Sequence, residues 1–309
     1  MDLRVDLAPH HKLQLQLRNP VMTASGTFSN GLELAKRFDI DALGGIVSKG
    51  TTLRPRKGNA TPRTIETPAG MINAIGFQNI GVGALTRNIA PTWARWEVPA
   101  VVNIMGNTVE EYGVLASRLD GVAGVSALEL NVSCPNVDHG GLEFGQDPHA
   151  AAQVVTEAAR NTSLPLLVKL APAVTDIRPV VEAVADAGAQ AVTVANTIPA
   201  IAIDIERRRP AIANAFGGLS GPAIRPVTLR LVWQAASVTS IPVVASGGIM
   251  SGEDVVEFLM AGATAVQVGT ATFRDPEAPW RILRELTAWC EDHGVTDIHE
   301  LIGAARHVE

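Results

Sequence analysis

Cysteine is nearly missing from this chain: two residues, Cys134 and Cys290, among 309. Two thiols cannot build a disulfide framework, which points to a reducing, cytoplasmic setting. They also fall short of the four thiolates that an iron–sulfur cluster takes. Aromatic residues amount to 4%, too few for a surface that stacks nucleic-acid bases. Basic residues are outnumbered, 25 Lys and Arg against 31 Asp and Glu for a net charge of −6, so phosphate backbones are repelled and no nucleic-acid partner is expected. No apolar run approaches the roughly 18 residues that would cross a bilayer, and no basic-apolar-small leader opens the chain; neither a membrane nor export is expected. The first strand–helix junction lacks Gly-x-Gly-x-x-Gly, which argues against an open dinucleotide-binding sheet. No metal-ligand set is expected either.

What is present is a core. Hydrophobic residues make up 47%, and they fall into eight short runs, each ending in small or polar residues. The runs are 21–24, 45–47, 100–102, 128–130, 166–168, 192–195, 243–245 and 266–268. Their continuous character, without alternation, fits parallel strands buried on both faces. Helical patterns separate them. Thr108 with Glu111 predicts a capping box, Asp147-Pro148 predicts a cap followed by a first-turn proline, and Ser251 with Asp254 opens another helix. A faint repeat relates Ala187-Gly-Ala-Gln-Ala-Val-Thr-Val194 to Ala261-Gly-Ala-Thr-Ala-Val-Gln-Val268. Prolines at 99, 165 and 242 stand four residues before Asn103, Lys169 and Ser246. Equivalent polar positions in successive units describe a ring of functional groups at one mouth of a barrel. The expected fold is therefore α/β, an eight-stranded parallel (β/α)8 barrel in a single domain over residues 1–309. Leu13-Gln-Leu-Gln-Leu17 alternates and should pair with residues 3–7 as a short N-terminal hairpin. Segments 51–65 and 198–221 are too long for connectors and are expected to be lid loops over the mouth.

The chemistry concentrates at strand ends. Ser246-Gly-Gly-Ile249 and Gly269-Thr-Ala271 end the last two strands, where such barrels commonly seat a phosphate against glycine backbone. Lys49 and Lys169 each close an apolar strand, where a lysine is desolvated and must find an anion or lose its proton. Either could be a counter-ion or a Schiff-base nucleophile. Asn73, Asn131, Asn136 and Asn196 each follow apolar residues, and carboxamides suit a ring that displays both N–H and C=O edges. Cys134 lies in Leu128-Glu-Leu-Asn-Val-Ser-Cys-Pro-Asn136 with no histidine near it in sequence; His139, the closest, reads as part of a solvated loop beside Gly140-Gly141. Proton abstraction is favoured over acyl transfer. Cys290, inside a helical pattern, reads as a buried spacer.

These residues resemble a family. Asn73-Ala-Ile-Gly-Phe-Gln-Asn79, Glu129-Leu-Asn-Val-Ser-Cys-Pro-Asn136, Asn196-Thr197, Ala202-Ile-Asp-Ile205 and Gly217-Gly-Leu-Ser-Gly-Pro-Ala223, with the Gly247-Gly248 and Gly269-Thr270 pairs, resemble class 1 dihydroorotate dehydrogenases. The likeness is strongest to the class 1B catalytic subunit. The resemblance implies an FMN barrel that oxidises dihydroorotate to orotate in pyrimidine synthesis. It implies that Ser25, Lys49, Gly50, Asn103, Asn131, Lys169, Ala195, Gly221, Gly247, Gly248, Gly269 and Thr270 hold FMN. It likewise implies that Lys49, Asn73, Ala74, Ile75, Gly76, Phe77, Asn131, Asn136, Asn196 and Thr197 bind the pyrimidine. Cys134 would be the general base, under a loop over residues 137–147 hinged at Gly140, Gly141 and Gly145, and Lys169 would stabilise charge on the reduced flavin. A homodimer core with a separate FAD and iron–sulfur subunit, a heterotetramer, would pass electrons to NAD. The alternatives are a fumarate-dependent class 1A enzyme, another FMN barrel acting on a dihydropyrimidine, and a Schiff-base lyase using Lys169.

Overall fold

A computed structural model describes residues 1–132 and 144–306. Eight strands form one parallel sheet: β1 (Val21–Thr23), β2 (Ile46–Val47), β3 (Ala100–Ile104), β4 (Ala127–Asn131), β5 (Leu166–Lys169), β6 (Ala191–Val194), β7 (Val243–Ser246) and β8 (Ala265–Val268). From β2 to β8 each strand pairs with the next in sequence, and β8 pairs with β1. The two remaining edges meet: Thr23 N donates to Gly45 O at 3.1 Å and Gly44 N to Val21 O at 2.9 Å. The sheet therefore closes, and the fold is a (β/α)8 barrel, as the eight runs predicted.

Every residue of all eight strands is buried, because the helices cover the outside while side chains fill the inside. Helices pack outside the strands: α1 (Val82–Asn88), α2 (Val109–Leu119), α3 (Pro148–Arg160), α4 (Arg178–Asp186), α5 (Arg225–Ala236), α6 (Gly252–Met260) and α7 (Ala278–Asp292), of which α2, α3 and α6 start at the expected caps. Their apolar stripes reach the outer wall of the barrel; Leu115 and Leu119 of α2 are fully buried, as are Val154 and Val155 of α3. Each such side chain contributes about 1.5–3 kcal/mol. The caps differ in detail. At α6 the Ser251–Asp254 box is reciprocal, and at α3 Asp147 accepts from His149 N at 2.9 Å. At α2 only half the expected box forms: Thr108 accepts from Glu111 N, whereas the Glu111 carboxylate turns to Asn107 N at 2.7 Å. Asn107 N lies one residue before the cap and is another donor at the same helix start, so the carboxylate satisfies a different orphan.

The N-terminal hairpin forms between Val5–Asp6 and Gln16–Leu17. The long segments do more than loop. Thr64–Thr67, Gly70–Asn73, Phe216–Ser220 and Ile198–Ile201 build a four-stranded antiparallel sheet across the C-terminal mouth of the barrel. Its close approach to the barrel needs glycine at 218, where a Cβ would collide with the Thr197 side chain. Cys290 is buried in α7 without a disulfide, as a spacer should be. No helix among the described residues is long and apolar enough to cross a membrane, and no metal-binding cluster occurs among them.

Candidate active site

The barrel interior is polar where its strands approach the mouth. Asn103 on β3, Glu129 on β4, Lys169 on β5, Thr193 on β6 and Gln267 on β8 are all buried, none more than 4% exposed. Glu129 accepts from Asn103 Nδ2 at 2.7 Å, Thr193 Oγ1 at 2.8 Å and Gln267 Nε2 at 2.6 Å. Lys169 Nζ donates to Gln267 Oε1 at 3.2 Å and Ser246 Oγ at 3.3 Å. Burial pushes the Lys169 ammonium down from its ordinary value of 10.5, and the Glu129 carboxylate pulls it partly back. An ammonium at this depth survives only because anionic and dipolar acceptors surround it.

Above this floor lies a cavity of ≈ 800 Å³ between the strand ends and the lid sheet. It brings together residues from all along the chain. Ser25, Lys49, Gly50, Asn103, Asn131, Lys169, Ala195, Gly221, Gly247, Gly248, Gly269 and Thr270 line it, and so do Asn73, Ala74, Ile75, Gly76, Phe77, Asn196 and Thr197. Cys134 and Asn136 lie outside the described residues, as do residues 137–143 of the loop expected to cover the base. Of that loop, Gly145 is described: it sits in a short 3₁₀ turn, Phe144–Gln146, and its N–H donates to Val132 O at 2.7 Å. Val132, the residue after β4, and Gly145 are thus held together.

Each wall has a local cause. The segment 73–79 is fixed by side chains: Asn59 Nδ2 donates to Ala74 O at 3.0 Å, and Asn79 receives Gly81 N at 2.8 Å while donating to Phe77 O at 2.7 Å. Phe77 sits at φ 53°, a left-handed conformation that costs a non-glycine residue energy and here aims its ring along the cavity wall beside Gly50. Gly248 has φ +84°, and a Cβ there would lie 2.6 Å from Arg225 Cβ. The β7 loop can therefore turn and offer bare backbone to the cavity only with glycine in that place. Lys49 Nζ has no hydrogen-bond or ion-pair partner among the described residues. Burial first, and then Arg63, lower its proton affinity.

These residues fit FMN. Asn103 Oδ1 is buried with no hydrogen-bond partner, an orphaned acceptor at the cavity wall that a ligand N–H or O–H would satisfy. The paired glycine turns after β7 and β8 lie side by side, since Ser246 and Gln267 are register partners, and they offer the backbone cradle a phosphate needs. A buried cation, Lys169, donates to Ser246 and Gln267 of the strands that carry those turns.

Sequence reasoning missed Glu129, Thr193 and Gln267 as parts of the site. The signal was present: Glu129, Thr193 and Gln267 each interrupt a strand that is otherwise apolar, and the latter two occupy matching places in the internal repeat. A polar residue inside a strand buried on both faces must point into the barrel and find a partner there.

Residues 10–289 match the family described as dihydroorotate dehydrogenase. A protein of Geobacter sp. (strain M21), named dihydroorotate dehydrogenase B (NAD(+)), catalytic subunit, is 53% identical over 94% of this chain and 95% of its own. Proteins of the same name from Geobacter sulfurreducens, 50% identical over 98% of each chain, and Desulforudis audaxviator, 52% identical over 94% and 95%, are similar in kind.

Proposed function

The chain belongs to the dihydroorotate dehydrogenase family, and from that premise we propose that it is the catalytic subunit of a class 1B enzyme. It oxidises dihydroorotate to orotate with FMN as cofactor and Cys134 as general base. The observation that carries this reading is the convergence of Lys49, Asn73, Asn131, Lys169, Asn196 and the two glycine turns on one cavity beside the end of β4.

Oxidation removes a proton from C5 and a hydride from C6, leaving the C5–C6 double bond. Bound FMN would supply the two-electron acceptor, taking that hydride at N5. Gly221, Gly247, Gly248, Gly269 and Thr270 would hold its phosphate, and Asn103, Lys169, Ser25, Gly50 and Ala195 would surround its ring system. The chain's own residues do the rest. Lys49, a cation without a partner in the described residues, meets the substrate carboxylate. Asn73, Asn131, Asn136 and Asn196 match the N–H and C=O edges of the ring, which fixes its face. Cys134, as thiolate, takes the C5 proton. Lys169 would offer positive charge toward the bound cofactor's ring system, favouring its reduction. The lid sheet, with Phe77 against Gly50, excludes water from the reacting edge.

Electrons then leave through a partner. The relatives are named NAD(+)-linked catalytic subunits, which supports a separate electron-transfer subunit; in our reading that subunit carries FAD and an iron–sulfur cluster and joins a homodimer of this chain as a heterotetramer in the cytoplasm. The test is to purify the protein with its bound cellular neighbours and assay dihydroorotate oxidation with NAD and with fumarate. NAD reduction that depends on a co-purifying flavin and iron–sulfur protein is expected. Turnover with fumarate by this chain alone would place it in class 1A, and a colourless protein trapped by borohydride would favour a Lys169 lyase.

A further inference from the structure

Glu129 is the buried group that the reaction above leaves unused. It is fully buried, is not among the residues lining the cavity, and accepts from three neutral donors. A carboxylate can only accept, so an amide beside it must present its NH₂. Two amides do so. Gln267 gives Nε2 to Glu129, and its Oε1 is thereby turned to Lys169 Nζ at 3.2 Å. Asn103 gives Nδ2 to Glu129, and its Oδ1 is left unpartnered beneath Gly50. This orientation follows from the charge of Glu129 whichever way an amide is drawn.

We propose that Glu129 is the positioning residue of the cavity floor: by taking the amide N–H groups of Asn103 and Gln267 it turns both carbonyl oxygens away from itself. One oxygen is fixed on the Lys169 ammonium and the other stands as an open acceptor at the cavity wall. The inference rests on the proposed FMN function and deepens it. Glu129 thereby keeps Lys169 charged without a direct ion pair, through Gln267 as a relay. A carboxylate in direct contact with Lys169 would cancel its field toward the cofactor, whereas one set behind the wall leaves the cation facing the cavity. The other inward groups around Lys169 are Asn131 on β4, Thr193 on β6, Ser246 on β7 and Gln267 on β8, none of which carries charge; among the described residues Glu129 is the charged group acting on it. Lys49 lines the same cavity but is coupled to Arg63 instead.

The test is the midpoint potential of FMN bound to the holoenzyme of wild type and Glu129→Gln, followed against pH. In the variant the new amide can donate, both neighbours are free to flip, and Lys169 lacks its opposite charge. Lys169 then gives up its proton, and the cofactor's anionic reduced form loses its nearest cation. The expected result is a tenfold shift of the equilibrium toward oxidised cofactor at alkaline pH, or about 30 mV for two electrons, closing as the pH falls and Lys169 regains its proton. Glu129→Asp keeps the charge and should follow the wild type more closely. Gln267→Met removes the relay but not the carboxylate, and should show the same pH-dependent difference at smaller size even if Glu129→Gln does not fold. A potential that tracks wild type at every pH in either neutral variant overturns the inference. A wild type that holds no FMN overturns the functional reading, and this inference with it.

Discussion

Replacing Lys49 with methionine should stabilise the protein while disabling it. Lys49 is largely buried at the end of β2, has no partner among the described residues, and is held below its ordinary value of 10.5 by burial and by Arg63. An unpaired ammonium in that position is a cost of folding that only an anionic ligand repays. Exchanging fully buried charges for apolar side chains of similar volume gains about 1–4 kcal/mol. Lys49 keeps some contact with solvent, so the lower end applies: about 1 kcal/mol, or about 2 °C in Tm for a chain of this size. The sign of the pH dependence follows from linkage. With the folded-state affinity depressed, the unfolded chain binds more protons between the two values, so wild-type stability rises with pH across that window. The advantage of the Met variant is therefore full at and below the folded value and fades as pH approaches 10.5. Thermal unfolding of both proteins from neutral to alkaline pH, with and without orotate, reads all of this. Orotate at about 100 times its Kd should add about 2.7 kcal/mol to the wild type and far less to Lys49→Met. A variant that is less stable than wild type at neutral pH, or that is stabilised equally by orotate, would refute the reasoning.

Other outcomes follow from the same site. Cys134→Ala should lose dihydroorotate oxidation by several orders of magnitude with FMN still bound, and Cys134→Ser should keep a trace that grows toward higher pH, since serine is the weaker acid; pH–rate profiles with a flavin count per chain check both. Lys169→Met should slow FMN reduction by dihydroorotate at least tenfold in stopped flow, while leaving binding of orotate less affected. Gly248→Ala combines φ +84° with a Cβ 2.6 Å from Arg225, so it should cost about 2 kcal/mol or more and weaken FMN binding, read by denaturation and by fluorescence titration. Asn103→Leu should weaken FMN binding and also destabilise the cofactor-free protein, because Glu129 loses one of three donors.

The barrel was legible because its strands are buried on both faces. A run such as Val-Val-Ala-Ser at β7 can be little else when glycine turns and an amphipathic helix follow it. Proline at 99, 165 and 242 marks equivalent starts, and so the polar tips Asn103, Lys169 and Ser246 align from the sequence alone. The lid was legible as excess length but not as a sheet. Asn73 pairs with Gly218, and a contact so distant in sequence leaves no local period to read. Glu129 is hard to read for a related reason: Asn103 is its register partner on the next strand, but Thr193 and Gln267 sit on β6 and β8, and only closure of the barrel brings them within 3 Å. The α2 cap differed because Asn107 N competed with the cap residue for the Glu111 carboxylate, a choice between two nearby donors that sequence spacing cannot decide.

The most direct test of the whole account is to add dihydroorotate, without oxygen, to the purified yellow protein and to follow the oxidised-flavin absorbance. The account predicts stoichiometric bleaching in the wild type, with orotate formed one for one, and none in Cys134→Ala that still carries its FMN. A wild-type spectrum that dihydroorotate leaves unchanged, or a Cys134→Ala protein that bleaches at the wild-type rate, would contradict it.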